Sequence, residues 1–143
     1  MGIRDTSYFG WKNVFQSPVS GNFSAITEDI LGNIYVAGYY QQNLSSNIDV
    51  SLLRSNNNGD SWTAIPILTG SSTSSSFLYS ALDLISDISG SLFVTHPYHN
   101  GILKFTDLGN SWNPYLTLGS FLAPGPIYSL AVDNLSRKFI IYI

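Results

Sequence analysis

The chain has 143 residues and a mass of 15.7 kDa, which fits one domain at the usual size of about 100–200 residues. With 44% hydrophobic but only 10% charged residues, against about 25% charged in ordinary domains, it is expected to be globular with a largely uncharged surface, not disordered. A net charge of −3 with six Lys and Arg removes the electrostatic attraction that dominates nucleic-acid binding, and the lack of Cys excludes disulfide scaffolds, thiolate zinc sites and cysteine nucleophiles.

In chain order, Gly2–Arg4 and Trp11–Phe15 read as a first pair of short strands. Four strands follow at Phe23–Thr27, Ile34–Gly38, Val50–Arg54 and Trp62–Ile67, marked by alternation and by β-branched and aromatic residues between Gly, Asn, Ser and Pro clusters. A second set of four reads at Tyr79–Leu84, Leu92–His96, Ile102–Phe105 and Trp112–Leu118. The last pair is Ile127–Asp133 and Lys138–Ile143. No stretch carries an amphipathic helical period or an apolar run long enough for a signal peptide or membrane span.

The strands are organised by repetition. Asp29-Ile-Leu-Gly-Asn-Ile-Tyr-Val36 aligns with Asp87-Ile-Ser-Gly-Ser-Leu-Phe-Val94 and more weakly with Asp133-Asn-Leu-Ser-Arg-Lys-Phe-Ile140. A second unit is interleaved with it: Leu52-Leu53-Arg54 precedes SNNNGDSW ending at Trp62, and Ile102-Leu103-Lys104 precedes FTDLGNSW ending at Trp112. A degenerate copy, Gly2-Ile3-Arg4 followed by DTSYFGW ending at Trp11, stands near the start of the sequence. Four-strand units repeating every 40 to 50 residues or so are the signature of propeller blades.

SNNNGDSW and FTDLGNSW resemble the Asp-box, or BNR, repeat of sialidase-type β-propellers, which joins the third and fourth strands of a blade. Ser55, Gly59, Ser61 and Trp62 match in the first copy, with Asn57 in place of Asp. Asp107, Gly109, Ser111 and Trp112 match in the second, with Phe105 in place of the leading Ser. The resemblance implies an all-β fold and a structural role for these residues. Asn57 and Asp107 are expected to accept hydrogen bonds from turn amides, Gly59 and Gly109 to take positive φ, and Trp62 and Trp112 to bury their rings against a neighbouring blade.

Counting strands predicts one partial propeller domain over 1–143: a strand pair in 1–16, a blade in 22–68, a blade in 79–118 and a strand pair in 127–143. This amounts to three blades' worth, too few to close a ring in the usual range of about four to eight. Either the sequence belongs to a longer protein, or another copy completes its ends. In the second case two copies close a six-bladed ring as a head-to-tail homodimer.

Sialidase-type catalysis, as the resemblance implies it, uses three Arg against a carboxylate, a Tyr with a Glu partner and an Asp acid. Here the Arg residues are Arg4, Arg54 and Arg137 and the only Glu is Glu28. Arg4 and Arg54 occupy equivalent repeat positions, with Lys104 at the third, which reads as structural. No catalytic residue, metal site or cofactor is therefore expected, with a fragment of a glycoside hydrolase as the remote alternative, and His96 and His99 lack the carboxylate or thiolate neighbours of a zinc site. The expected function is non-catalytic ligand binding at the loops carrying Tyr39, Tyr40, Gln42, His96, Tyr98 and His99. Aromatic rings beside neutral amides suit a carbohydrate, as in a lectin, and equally suit a protein partner.

Overall fold

The computed structural model describes residues 20–41, 49–68, 83–96, 101–106, 111–117 and 127–142. These form ten strands and no helix: β1 (Ser20–Glu28), β2 (Ile34–Gln41), β3 (Asp49–Ser55), β4 (Thr63–Leu68), β5 (Leu84–Ser86), β6 (Leu92–His96), β7 (Gly101–Thr106), β8 (Ser111–Thr117), β9 (Ile127–Val132) and β10 (Lys138–Tyr142). The predicted strands at 2–4 and 11–15 lie outside the described residues, as does most of the one predicted at 79–84, of which Leu84 begins β5.

All pairing is antiparallel and sequential, giving a four-stranded sheet β1-β2-β3-β4, a second β5-β6-β7-β8, and a two-stranded sheet β9-β10. The outer strands β4 and β8 each contain a proline, Pro66 opposite Ser51 and Pro114 opposite Leu103, each beside a register shift. Proline has no N–H to offer a ladder, so it is confined to edges and bulges, and there it discourages further pairing. In the first sheet β1 bulges between Phe23 and Ala25 where it passes Gly38. A Cβ on Gly38 would stand 2.4 Å from the Asn22 carbonyl oxygen and 2.8 Å from Phe23 Cα, so only glycine fits this backbone approach.

The sheets stack through alternate faces of their strands. Tyr35, Ala37, Leu52 and Ile67 of the first sheet pack against Leu84, Leu92, Val94, Leu103 and Phe105 of the second. From its opposite face the second sheet presents Phe93 and Ile102, with Ile85 and Leu116, to Ile127, Leu130 and Ile140 of the third. The leading strands run close together, β1 against β5 and β5 against β9. The second sheet is thus apolar on both faces, which is why Leu92-Phe93-Val94 and Ile102-Leu103 read as continuous apolar runs instead of alternating ones.

Candidate functional site

The topology sends two kinds of connection to opposite ends of the strands. One end carries the β1–β2, β5–β6 and β9–β10 turns together with the β3–β4 connection. The other end carries the β2–β3 and β6–β7 connections.

The first end is built three times from one device. Asp29, Asp87 and Asp133 each donate a backbone N–H to the carbonyl four residues on (3.0, 2.9 and 3.1 Å) and accept at their own carbonyl from residue three on (3.0, 2.9 and 3.0 Å). One carboxylate oxygen, Oδ1, receives two further amides: Leu31 and Asn33 for Asp29, Ser89 and Ser91 for Asp87, Leu135 and Arg137 for Asp133, all at 2.9–3.1 Å. The residue completing each turn has positive φ: Gly32 at 81°, Gly90 at 78° and Ser136 at 60°. This is a three-residue hairpin loop with a left-handed closing residue.

The second carboxylate oxygen, Oδ2, is satisfied differently each time. Asp29 Oδ2 accepts from Asn33 Nδ2 at 2.8 Å and from the Tyr35 hydroxyl at 3.0 Å. Burial and the Asp29 carboxylate push the Tyr35 phenol up to about 12, so it stays a donor. At the equivalent of Tyr35 the second repeat has Phe93, which brings no hydroxyl. Instead Lys138, from the third sheet, places its Nζ 3.4 Å from Asp87 Oδ2 and 4.7 Å from the Phe93 ring centroid, and donates to the Ser136 carbonyl at 3.0 Å. Lys104 stands 5.7 Å from the same ring and Tyr115 meets it edge-on at 4.9 Å. Asp133 Oδ2 pairs with Arg137 of its own turn. Burial opposes ionisation of Asp29, Asp87 and Asp133, but these hydrogen bonds outweigh it and hold all three below the ordinary carboxylate value.

The SNNNGDSW connection closes on itself as well. Ser55 Oγ accepts from the Gly59 amide at 2.9 Å, Asn57 Oδ1 accepts from the Ser61 amide at 2.9 Å, and Asn57 Nδ2 donates to Ser61 Oγ at 2.8 Å. Gly59 has φ 84°, as expected, preceded by Asn58 at 57°. The Trp62 indole N–H donates to the Gly59 carbonyl at 3.1 Å. In the second copy, Asp107 and Gly109 lie outside the described residues, while Thr106 and Ser111 hydroxyls meet at 3.1 Å across its base.

The expectation that both Trp rings bury against a neighbouring blade is corrected for Trp112, which is 37% exposed; Trp62 is half-buried. Trp62 stands just before β4, and Trp112 lies on β8, the outer strand of its sheet.

At the other end, Tyr39 and Tyr40 occupy the last turns of the β2 ladder, Tyr39 opposite Asn22 and Val50, Tyr40 opposite Gly21 and Asp49. His96 ends β6 opposite Gly101. The backbone therefore brings Tyr39, Tyr40 and His96 to the same end of two successive sheets. Gln42, Tyr98 and His99 fall outside the described residues.

A cleft of about 100 Å³ along β3, β4 and their connection is lined by Arg54, Asn56, Ser61, Thr63 and Ile65, well below the roughly 300–1,000 Å³ of small-molecule sites. Among the described residues no three His, Asp or Glu side chains gather as a metal site would require, and no helix is long and apolar enough to cross a membrane.

Sequence reasoning missed the Lys138 contact with Asp87 and a second inter-sheet contact of consequence. Asp83, just before β5, accepts at Oδ2 from the Leu130 amide at 2.6 Å and from Ser129 Oγ at 3.1 Å, both in β9. Its own amide donates to Thr95 Oγ1 at 3.0 Å. Asp83 and Ser129 stand four residues before their respective turn aspartates, a correspondence visible in the repeat alignment once it is extended backwards. Neither comparison with family models nor comparison with curated proteins finds a match for the chain.

Proposed function

We propose that the chain is a non-catalytic, ligand-binding β-propeller, six-bladed as a ring of two copies, and that the strand end carrying Tyr39, Tyr40 and His96 receives a neutral ligand of carbohydrate type. What supports this reading is that β2 and β6 bring Tyr39, Tyr40 and His96 to one end of two successive sheets, and that the sequence repeats a tyrosine at the matching position. Tyr40 stands eleven residues after Asp29, and Tyr98 eleven after Asp87. A ring stacked on the apolar face of a sugar, with neutral amides such as Gln42 and imidazoles such as His99 at its hydroxyls, needs no charge. Shallow sites of this kind bind weakly one at a time, because ordering costs consume most of the gain, and repetition supplies avidity.

The opposite end supports a second reading, a scaffold that binds protein. The turns expose Ile30, Leu31, Ile88 and Leu135, aliphatic side chains where hairpin loops are commonly polar.

A glycan-binding screen separates the two readings. Tyr40→Ala with Tyr98→Ala should abolish glycan binding and leave the melting temperature within a few degrees of the parent, while Leu31→Ser with Leu135→Ser should leave glycan binding intact. Unchanged glycan binding in the tyrosine double variant would overturn the first reading.

A further inference from the structure

The residues six and eight positions after each turn aspartate form one face of their sheet. In the first sheet they are Tyr35 and Ala37, in the second Phe93 and Thr95, and all four are buried, Tyr35 and Ala37 against the second sheet and Phe93 against the third. In the third sheet they are Phe139 and Ile141, and these are 53% and 62% exposed. Beside them Ala131 is exposed, whereas Ile140, pointing the other way, packs on the second sheet. Among the described residues β10 pairs only with β9, and no described strand stands at its outer edge as β3 does beside β2 and β7 beside β6. That edge also lacks the proline found in each outer strand of the other two sheets.

The missing neighbour can be identified by its register. Tyr35 lies opposite Arg54, and Phe93 lies opposite Lys104. The same apolar-apolar-cation unit, Leu52-Leu53-Arg54 and Ile102-Leu103-Lys104, has its further copy at Gly2-Ile3-Arg4. We infer that β10 is completed by residues 2–4 of a second copy of this chain, in the register that sets Arg4 opposite Phe139 and Gly2 opposite Ile141. The cation then lies beside an aromatic ring, as Lys104 does beside Phe93. This rests on the two-copy reading above and names the surface that makes it: strand addition at an exposed sheet edge. The first sheet of the incoming copy follows its own residues 2–4 and covers Phe139 and Ile141. Its residues Ile34 and Val36, both partly exposed, correspond to Leu92 and Val94, which do the same for the first sheet within one chain.

The absence of native cysteine makes the register testable by disulfide trapping. Directly opposed residues in an antiparallel pair have Cα atoms about 4.5–5.5 Å apart, within disulfide reach. Arg4→Cys with Phe139→Cys, mildly oxidised, should run on a non-reducing gel at twice the chain mass and return to the chain mass on reduction. Ala131→Cys with Phe139→Cys, opposed within β9–β10, is the control for oxidation and should cross-link inside one chain. Light scattering of the parent should give twice the chain mass, and deletion of residues 1–10 should halve it.

A cross-link formed inside a single chain would overturn the second copy as the occupant. A native dimer that yields the control cross-link but not the Arg4–Phe139 one would overturn this register and leave the ring standing. A ladder of higher multiples would uphold the strand pairing and overturn the two-copy ring, and a native monomer would overturn both.

Discussion

At the scale of single residues, an Asp turn and the β1–β2 ladder show two different reasons for a glycine. Gly90 has φ 78° and open space where a Cβ would stand, so Gly90→Ala pays only the left-handed backbone penalty, about 1–2 kcal/mol. Gly38→Ala meets backbone atoms within 3 Å instead and should cost more, with a displaced β1. Ser136 already bears the left-handed strain at φ 60°. Ser136→Gly should therefore stabilise the protein by about 0.5–1 kcal/mol once the greater freedom of glycine in the unfolded chain is counted. Urea unfolding of the three variants checks the order.

The carboxylates of the three Asp turns set the acid limit. Their folded pKa values lie below the unfolded value of about 3.9. The stability they add is therefore complete above that value and disappears as pH falls through the folded values. Urea midpoints at pH 6 and pH 3 should differ more for the parent than for Asp87→Asn, whose amide oxygen can still accept the turn amides but carries no charge. Equal differences would show that Asp87 has no part in acid sensitivity.

At the scale of elements, the second and third sheets are joined by a substitution that the repeat itself explains. Where Tyr35 brings a hydroxyl to its own turn aspartate, Phe93 does not, and Lys138 supplies the missing donor from the next sheet. Lys138→Leu, which installs the residue type found at the equivalent Leu92, should cost about 1–3 kcal/mol by leaving Asp87 Oδ2 underserved. Adding Phe93→Tyr should recover part of that loss by restoring the arrangement of the first repeat, and a double-mutant cycle measures the coupling. Additive losses would mean that the hydroxyl does not reach Asp87. The strands themselves were legible in the sequence because alternation, turn residues and the repeat agree: the predicted Leu92–His96 is β6 without change, and β2, β3 and β7 differ by three residues or fewer at either end. The Asn57 and Gly59 roles were legible because turn chemistry is local. Lys138 and Asp83 were not, because each acts on a residue more than forty positions away and no local pattern records a contact between sheets. Trp112 was misjudged for the same reason: its ring is apolar, and its exposure is set by a place at the outer edge that composition does not reveal.

At the scale of the molecule, the described sheets form a stack whose two apolar layers share the second sheet. Damage to either layer should not be equivalent. Leu103→Ala opens the layer between the two complete sheets and should lower global stability by about 2–5 kcal/mol. Asp83→Ala breaks the carboxylate bridge to β9 and should release the third sheet ahead of the rest, giving early proteolytic cuts within residues 127–142 while the remaining fragment resists. Simultaneous loss of all three sheets in the Asp83 variant would show that the stack unfolds as one unit.

The bridge from Asp83 to Leu130 also provides a spectroscopic gauge. The Leu130 N–H is held at 2.6 Å by a carboxylate on a different sheet, and so short a charge-assisted bond should shift its proton resonance far downfield of ordinary strand amides. In an NMR spectrum this one signal would report whether the third sheet is docked. The rate at which its proton exchanges with deuterated solvent would give the free energy of undocking separately from that of global unfolding.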